Sequence, residues 1–234
     1  MKVAIITEAY NESRSIGRLL SSISSDFDIF VVDDGSQDNT SSIVKDYNVN
    51  LIKHNINLGQ AMGFVTGLKC VLMLDYDFVV HLDSDNQHDP KDIPAFVDVL
   101  SRDNDCDVVI GSRIIGSQEY TSFLRRMFLP IFNYFITYIT GYNITDYLCG
   151  FRAYRCSTLR DNMDIFSYFN KPNYNATEMF LLFSLRNFKI IEIPIHVKKR
   201  AHGKSTKGEL SYGLHIINSI IRYFLNMKHL KKVI

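Results

Sequence analysis

Val79–Pro90, VVHLDSDNQHDP, is the stretch on which the fold turns. Phe78, Val79 and Val80 lead in as an apolar, β-branched run, Leu82 continues it, and Asp83, Ser84, Asp85, Asn86 and Gln87 follow at once. This spelling predicts a buried strand that runs straight into a cluster of acids. Residues i and i+2 of an extended segment point to one side, so Asp83 and Asp85 are expected to present their carboxylates together at the strand end. Two such groups repel unless a cation sits between them. Hard oxygen ligands suit Mg²⁺ or Mn²⁺, which take further ligands from a substrate's phosphates. An acidic turn after a strand is spelled the same way, because Asp, Ser and Asn all favour turns, so the rest of the chain has to decide.

Working outward, Lys2–Thr7 (KVAIIT), Ile29–Val32 (IFVV), Val49–Lys53 and Asp107–Ile110 read as further strands. Helical spacing links Ile16, Leu19, Leu20 and Ile23 within Ser13–Ile23, with Asn11 or Ser13 available as cap. Ser41–Tyr47, Gln60–Leu74 and Ile93–Arg102 are the other helices, and Gly59, Gly63 and Gly67 suggest that Gln60–Leu74 approaches a neighbour closely. Strand and helix alternate, the pattern of an open, mostly parallel α/β sheet with helices on both faces. Such sheets take ligands beyond the carboxyl ends of their strands. The acidic loops EAYNE (Glu8–Glu12), DDGS (Asp33–Ser36) and DSDNQ (Asp83–Gln87) all fall there, which favours the metal reading of Asp83 and Asp85.

After Gly111-Ser112-Arg113 the alternation stops. Phe123–Thr140 is an aromatic-rich helix with Phe128, Phe132, Phe135 and Ile139 as its stripe, and Thr145–Arg155 places polar groups around a Gly-Phe turn. Ala176–Leu185 is a helix headed by Thr177 and Glu178, and Lys189–Val197 is a last strand whose Pro194 argues for an edge. Lys198–Lys207 is a basic loop containing Gly203. Glu209–Met227 is a long amphipathic helix with a basic tail.

A chain of 234 residues suits one large domain or two coupled halves. Its net charge of +1 exerts no global pull toward nucleic acid, so anion binding has to come from local clusters. Cys70, Cys106, Cys149 and Cys156 form neither a C-x-x-C pair nor a zinc spacing, as suits a reduced, cytosolic setting. The apolar part of the N-terminus is too short for a signal peptide, and no stretch reaches the roughly 18 apolar residues of a spanning helix. Tyr120–Tyr142 and Glu209–Ile234 combine apolar stripes with basic flanks, as interfacial helices do.

A divalent cation on the rim calls for an anionic substrate. Lys198, Lys199, Arg200, His202, Lys204 and Lys207 could neutralise a departing diphosphate beside it, or could form an ordinary solvated charge run. YNE at Tyr10–Glu12, VVDDGS at Val31–Ser36, NLGQAMG at Asn57–Gly63 and DSDNQH at Asp83–His88 resemble family 2 glycosyltransferases of the GT-A fold. GSR at Gly111–Arg113, TDYLCGFRAYR at Thr145–Arg155 and RAHGKS at Arg200–Ser205 are similar to the branch that transfers mannose or glucose to dolichyl or polyprenyl phosphate.

The resemblance implies a nucleotide-sugar-binding half at 1–115, an acceptor-binding half of the same domain at 116–207, and an amphipathic helix with tail at 208–234. Ala9, Tyr10, Glu12 and Asp34 would hold the nucleoside, with Asp33 nearby. Asp83, Asp85 and Gln87 would hold Mg²⁺ or Mn²⁺ and the diphosphate, with His202 as a further ligand. Arg113 would contact the acceptor phosphate, and Arg152 would lie near the acceptor or the donor sugar. Arg200, Lys204 and Ser205 would contact donor phosphates. The implied enzyme is inverting and peripheral at the cytoplasmic face of a membrane. It moves a hexose from a GDP-mannose- or UDP-glucose-type donor to a polyprenyl phosphate, which is already ionised and needs no general base. A sugar-hydroxyl acceptor, as in surface polysaccharide synthesis, would need one, from Glu178 or Asp146.

Three departures from the family's pattern stand out. Cys149 replaces the usual Ser before Gly-Phe-Arg, Thr206 separates Ser205 from Lys207, and these residues hold no candidate for the C-terminal membrane spans of some members. The first two bear on acceptor identity. A nucleotidyltransferase would want a basic, glycine-rich loop where EAYNE stands. A membrane-recruited nucleotide-sugar binding module would lack donor turnover altogether.

Overall fold

The computed structural model describes residues 1–119, 123–168, 175–200 and 221. The basic loop from residue 201 onward and the expected helix Glu209–Met227, apart from residue 221, lie outside them. Strands β1 (Val3–Ala9), β2 (Asp28–Asp33), β3 (Asn50–Lys53), β4 (Phe78–His81), β5 (Val108–Gln118), β6 (Arg152–Arg155) and β7 (Ile190–Val197) form one seven-stranded sheet in the order β3-β2-β1-β4-β6-β5-β7. β1 pairs parallel with β2 and β4, β2 with β3, and β5 with β7; β6 alone runs antiparallel, between β4 and β5. Helices α1 (Ile16–Ser22), α2 (Thr40–Val44), α3 (Gln60–Leu72), α4 (Ile93–Arg102), α5 (Phe123–Thr140), α6 (Cys156–Asp161) and α7 (Asn175–Leu185) make the connections.

β1 and β4 are buried along their whole length, as continuous apolar runs in a parallel sheet require. α3 lies against β1 and β2, and its glycines make that possible. A Cβ on Gly67 would come within 2.8 Å of Ile6 Cγ2 and 3.1 Å of Val32 Cγ2, and one on Gly63 within 2.7 Å of Glu8 Cγ. β7 ends the sheet, the edge position that Pro194 implied.

Several elements differ from their sequence reading. The N-cap of α1 is Ser15, because Asn11 and Ser13 are occupied by the loop after β2. β5 continues well past Ile110 as an exposed ribbon paired to β7. No apolar alternation marked it, because Ile114 and Ile115 are half-exposed. β6 read as part of a turn because it is four residues long with arginine at both ends. Helix α5 has the expected bounds but a rotated face. Ile136 is buried between Phe132 and Ile139, whereas Phe135 is 52% exposed. Asn133 also faces inward, donating to the carbonyl of Thr145, so the packed stripe is partly polar. Phe128 lies outside the described side chains.

Candidate active site

The rim is built at the ends of β1, β2 and β4, where hydrogen bonds stitch the departing loops together. Asn11, at φ 55°, accepts the Gln37 N–H on its side-chain oxygen and donates its own N–H to Ser36 Oγ, both at 2.9 Å. Glu12 N donates to Thr40 Oγ1 at 2.9 Å and Ser13 N to Asp38 Oδ2 at 3.1 Å. The loop after β2 thus dictates the conformation of the loop after β1. Ala9 is buried, and Tyr10 stays 41% exposed.

Asp33 and Asp34 are both buried and spend their carboxylates on the chain itself. Asp33 accepts from Ser36 N at 2.8 Å and from the Ser41 hydroxyl. Asp34 accepts from Leu58 N at 2.8 Å and Gly59 N at 2.7 Å, and meets His54 Nδ1 at 2.7 Å. Asp34 fixes the NLGQ loop and the start of α3, while Asp33 fixes the turn after β2 and the first turn of α2.

Asp83 and Asp85 lie close together, but not through the strand pleat as expected. β4 stops at His81, Ser84 and Asp85 form a turn, and Asn86 takes φ 62°. The turn preference of Ser and Asn overrides the extended reading. Asp83 Oδ1 accepts from Gln60 Nε2 at 2.8 Å, and Oδ2 lies 3.6 Å from His88 Nε2. A Cβ on Gly150 would come within 3.0 Å of that Oδ2, so the glycine of the Gly-Phe turn leaves the Asp83 carboxylate room.

Asp85 Oδ1 accepts from Gln87 N at 3.0 Å, and its Oδ2 is 3.6 Å from Arg200 Nε, while Arg200 Nη2 donates to Glu12 Oε1 at 2.7 Å. One guanidinium therefore spans the acidic loops after β1 and β4. Burial pushes the Asp85 carboxyl up to about 6, and the Asp83 charge adds to it, against the pull of Gln87 N–H, Arg200 and His88. The Gln87 side-chain amide donates to the Lys198 carbonyl at 3.2 Å, and Lys198 N donates to Gln87 O at 2.9 Å. Gln87 thereby ties the acidic loop to the chain leaving β7. His202, Lys204 and Ser205 lie outside the described residues.

A second cluster forms at the far end of the parallel part of β5. Arg113 Nε and Nη2 donate to Asp146 Oδ2 and Oδ1 at 2.6 and 2.7 Å, and Arg113 N donates to Oδ2 at 2.9 Å. Asp146 is fully buried. Both oxygens of this expected base candidate are thus engaged by Arg113, a two-pronged charge-assisted pairing. Arg152, expected near the acceptor or donor sugar, is instead 1% exposed inside the sheet, donating to Tyr147 O at 2.6 Å and Cys149 O at 2.8 Å. Its place on β6 turns it inward to hold that loop. Glu178 sits half-buried in the first turn of α7.

Four residues near Asp83 escaped sequence reasoning: Gln60, His88, Glu8 and His81. Glu8 and His81 are buried, with Oε2 and Nε2 2.9 Å apart. Burial by itself would lower the His81 pKa, but the adjoining Glu8 carboxylate and nearby Asp83 outweigh burial and the Arg152 charge, and hold it above its ordinary value. Glu8, His81 and Asp83 offer ligand atoms all within 4.8 Å of one another. The legible signal was a histidine inside the apolar run VVHL. Glu8 and His81 are engaged with each other behind Asp83, and the carboxylates of Asp83, Asp85 and Glu12 at the rim are the oxygen-rich donors that fit a hard divalent cation.

The model of the family "Glycosyl transferase family 2" matches residues 4–162. An undecaprenyl-phosphate mannosyltransferase of Micrococcus luteus is 28% identical over 229 residues, covering 93% of this chain and 92% of that protein. A UDP-N-acetylglucosamine–dolichyl-phosphate N-acetylglucosaminyltransferase of Methanococcus voltae is 30% identical over 215 residues, covering 82% and 84%. Among solved structures, glucosyl-3-phosphoglycerate synthase of Mycobacterium tuberculosis with Mn²⁺, UDP-glucose and phosphoglyceric acid superposes with a TM-score of 0.74 at 18% identity, over 95% of this chain and 79% of that one. That likeness is one of fold, the GT-A architecture. The sequence match across most of the sheet and the carboxylates gathered at the strand ends agree: this chain is a glycosyltransferase and belongs to glycosyl transferase family 2.

Proposed function

We propose that the protein transfers a hexose from a nucleotide-sugar to a polyprenyl phosphate at a membrane surface, with inversion at the anomeric carbon. The observation that carries the donor half is the Asp83–Asp85–Arg200–Glu12 cluster, which sets carboxylates and one guanidinium together at the carboxyl edge of the sheet. Asp83 and Asp85 hold the cation, Mg²⁺ or Mn²⁺, with Gln87 and His202 as further candidate ligands. When bound, that ion neutralises charge on the donor diphosphate. Tyr10 and Glu12 line the nucleoside side, on a loop held in place by Ser36, Asp38 and Thr40 of the loop after β2. Arg200, Lys204 and Ser205 receive the leaving phosphate.

The acceptor half rests on the names of the relatives and on Asp146. With that carboxylate locked to Arg113, the acceptor side favours a nucleophile already ionised, and Arg113, oriented by Asp146, would meet its phosphate. Membrane contact is supported by α5, where Ile131, Tyr134, Phe135 and Tyr138 are exposed. No helix of the described residues is long and apolar enough to cross a membrane, so the attachment proposed is peripheral, at the cytoplasmic face.

The test is incubation with a panel of radiolabelled GDP- and UDP-sugars, divalent metal and polyprenyl phosphate. Label should enter the organic phase with at least one donor; label that stays aqueous across the panel refutes the lipid-phosphate acceptor. Glu178, in the first turn of α7, keeps a sugar-hydroxyl acceptor as the second reading, and Glu178→Ala separates the two. Turnover survives that change with a phosphate acceptor and collapses with a hydroxyl.

A further inference from the structure

Glu8 and His81 lie at the ends of two adjacent, wholly buried parallel strands, among Ile6, Val79 and Val80. A buried carboxylate–imidazole pair is costly there, and apolar side chains of similar volume would pack at least as stably. The fold nevertheless makes room for it. α3 carries Gly63 where a Cβ would fall 2.7 Å from Glu8 Cγ, and Phe64 sets its ring edge-on to the imidazole at 4.8 Å between centroids. Glu8 Oε2 and His81 Nε2 are 2.9 Å apart, and the buried Glu8 Oε1 has no hydrogen-bond partner among the described residues. Ligand atoms of both residues lie within 4.8 Å of one on Asp83. Gln60 and His88 hold the same carboxylate at its two oxygens.

We propose that Glu8 and His81 are positioning residues for the metal centre, an outer layer behind Asp83 that keeps its carboxylate in the ligating orientation and sets the affinity for the divalent cation. The inference rests on the metal reading given under the proposed function. The pair is not itself the ligand set. His81 Nε2 is turned to Glu8, and Arg152, the cross-strand partner of His81, brings a cationic side chain that opposes an ion at that depth. Residues that orient metal ligands from behind typically set affinity by about 10- to 100-fold.

The test is Mn²⁺ binding to the full chain, followed by electron paramagnetic resonance, in wild type, Glu8→Gln, His81→Gln and the apolar double variant Glu8→Leu/His81→Leu. Each variant should bind Mn²⁺ about 10- to 100-fold more weakly, with kcat at saturating metal within about twofold of wild type. The apolar double variant should lose metal affinity while keeping or raising its melting temperature, a separation that a merely structural pair would not produce. Folded variants that bind Mn²⁺ as wild type does would overturn the proposal. So would a loss of affinity that only tracks a loss of melting temperature. If the variants do not fold, the wild type decides. Its His81 ring ¹⁵N resonances should move on saturation with Mg²⁺, and an unmoved resonance refutes the coupling. A directly bound histidine nitrogen in pulsed spectra of the Mn²⁺ complex would make His81 a ligand and overturn the positioning role. Absence of Mn²⁺ binding by wild type removes the metal reading as well, whereas unchanged binding in folded variants removes this inference alone.

Discussion

Asp85 is asked to be an anion in a place that resists one. Its carboxyl is held up to about 6, by burial first and by the Asp83 charge second. A carboxyl whose folded pKa lies above its unfolded value binds more protons in the native state, so ionising it costs stability. Metal-free protein should therefore become less stable as pH rises from about 4 to about 6, and urea midpoints across that window measure it. A saturating divalent ion should flatten the slope by holding the anion. Affinity for the divalent ion should run the opposite way and fall as pH drops below about 6, since proton and cation compete for Asp85. Asp85→Asn should remove most turnover, about 100-fold or more, while abolishing the slope in metal-free stability. A variant that retained full turnover would contradict the cluster as the donor site.

Elements supply what single residues cannot. α3 crosses β1 and β2 so closely that Gly67→Ala has to displace Ile6 or Val32, both β-branched and buried. Overpacking of this kind costs about 1–3 kcal/mol, more than the roughly 1 kcal/mol of helix propensity gained, so the melting temperature should fall. β5 carries Arg113 to Asp146, which is buried at full depth. Arg113→Ala leaves that carboxylate unpaired and should destabilise the fold by about 3–5 kcal/mol in equilibrium denaturation. Acceptor KM measured on the surviving folded fraction then separates a phosphate-binding role from the structural one. Arg113→Lys should recover part of the stability but not the two-pronged geometry.

At the scale of the whole molecule, one sheet edge gathers the acidic loops while α5 turns Tyr134 and Tyr138 to solvent, 70% and 81% exposed. On the membrane contact proposed for α5, Tyr134→Ser together with Tyr138→Ser should reduce co-flotation with anionic vesicles by about fivefold or more, since each removes exposed amphipathic aromatic area. The melting temperature should stay within a degree or two of wild type, as exposed substitutions cost little. Unchanged flotation would remove α5 from the membrane-facing surface.

Sequence alone determined the parallel half of this protein: β1 to β4 and their helices follow from apolar runs and helical periodicity, which are local properties. It also placed Asp83, Asp85, Glu12 and Arg200 in loops at strand ends, because topology and turn chemistry leave few alternatives. Tertiary structure decided the rest. The antiparallel insertion of β6 between β4 and β5, the inward turn of Arg152, the locking of Asp146 by Arg113 and the Glu8–His81 pair behind Asp83 all depend on partners at least 33 residues apart or on which way a short strand faces. Such pairings are set by how buried charge is neutralised across neighbouring strands, a condition that exists only once the sheet has closed around it.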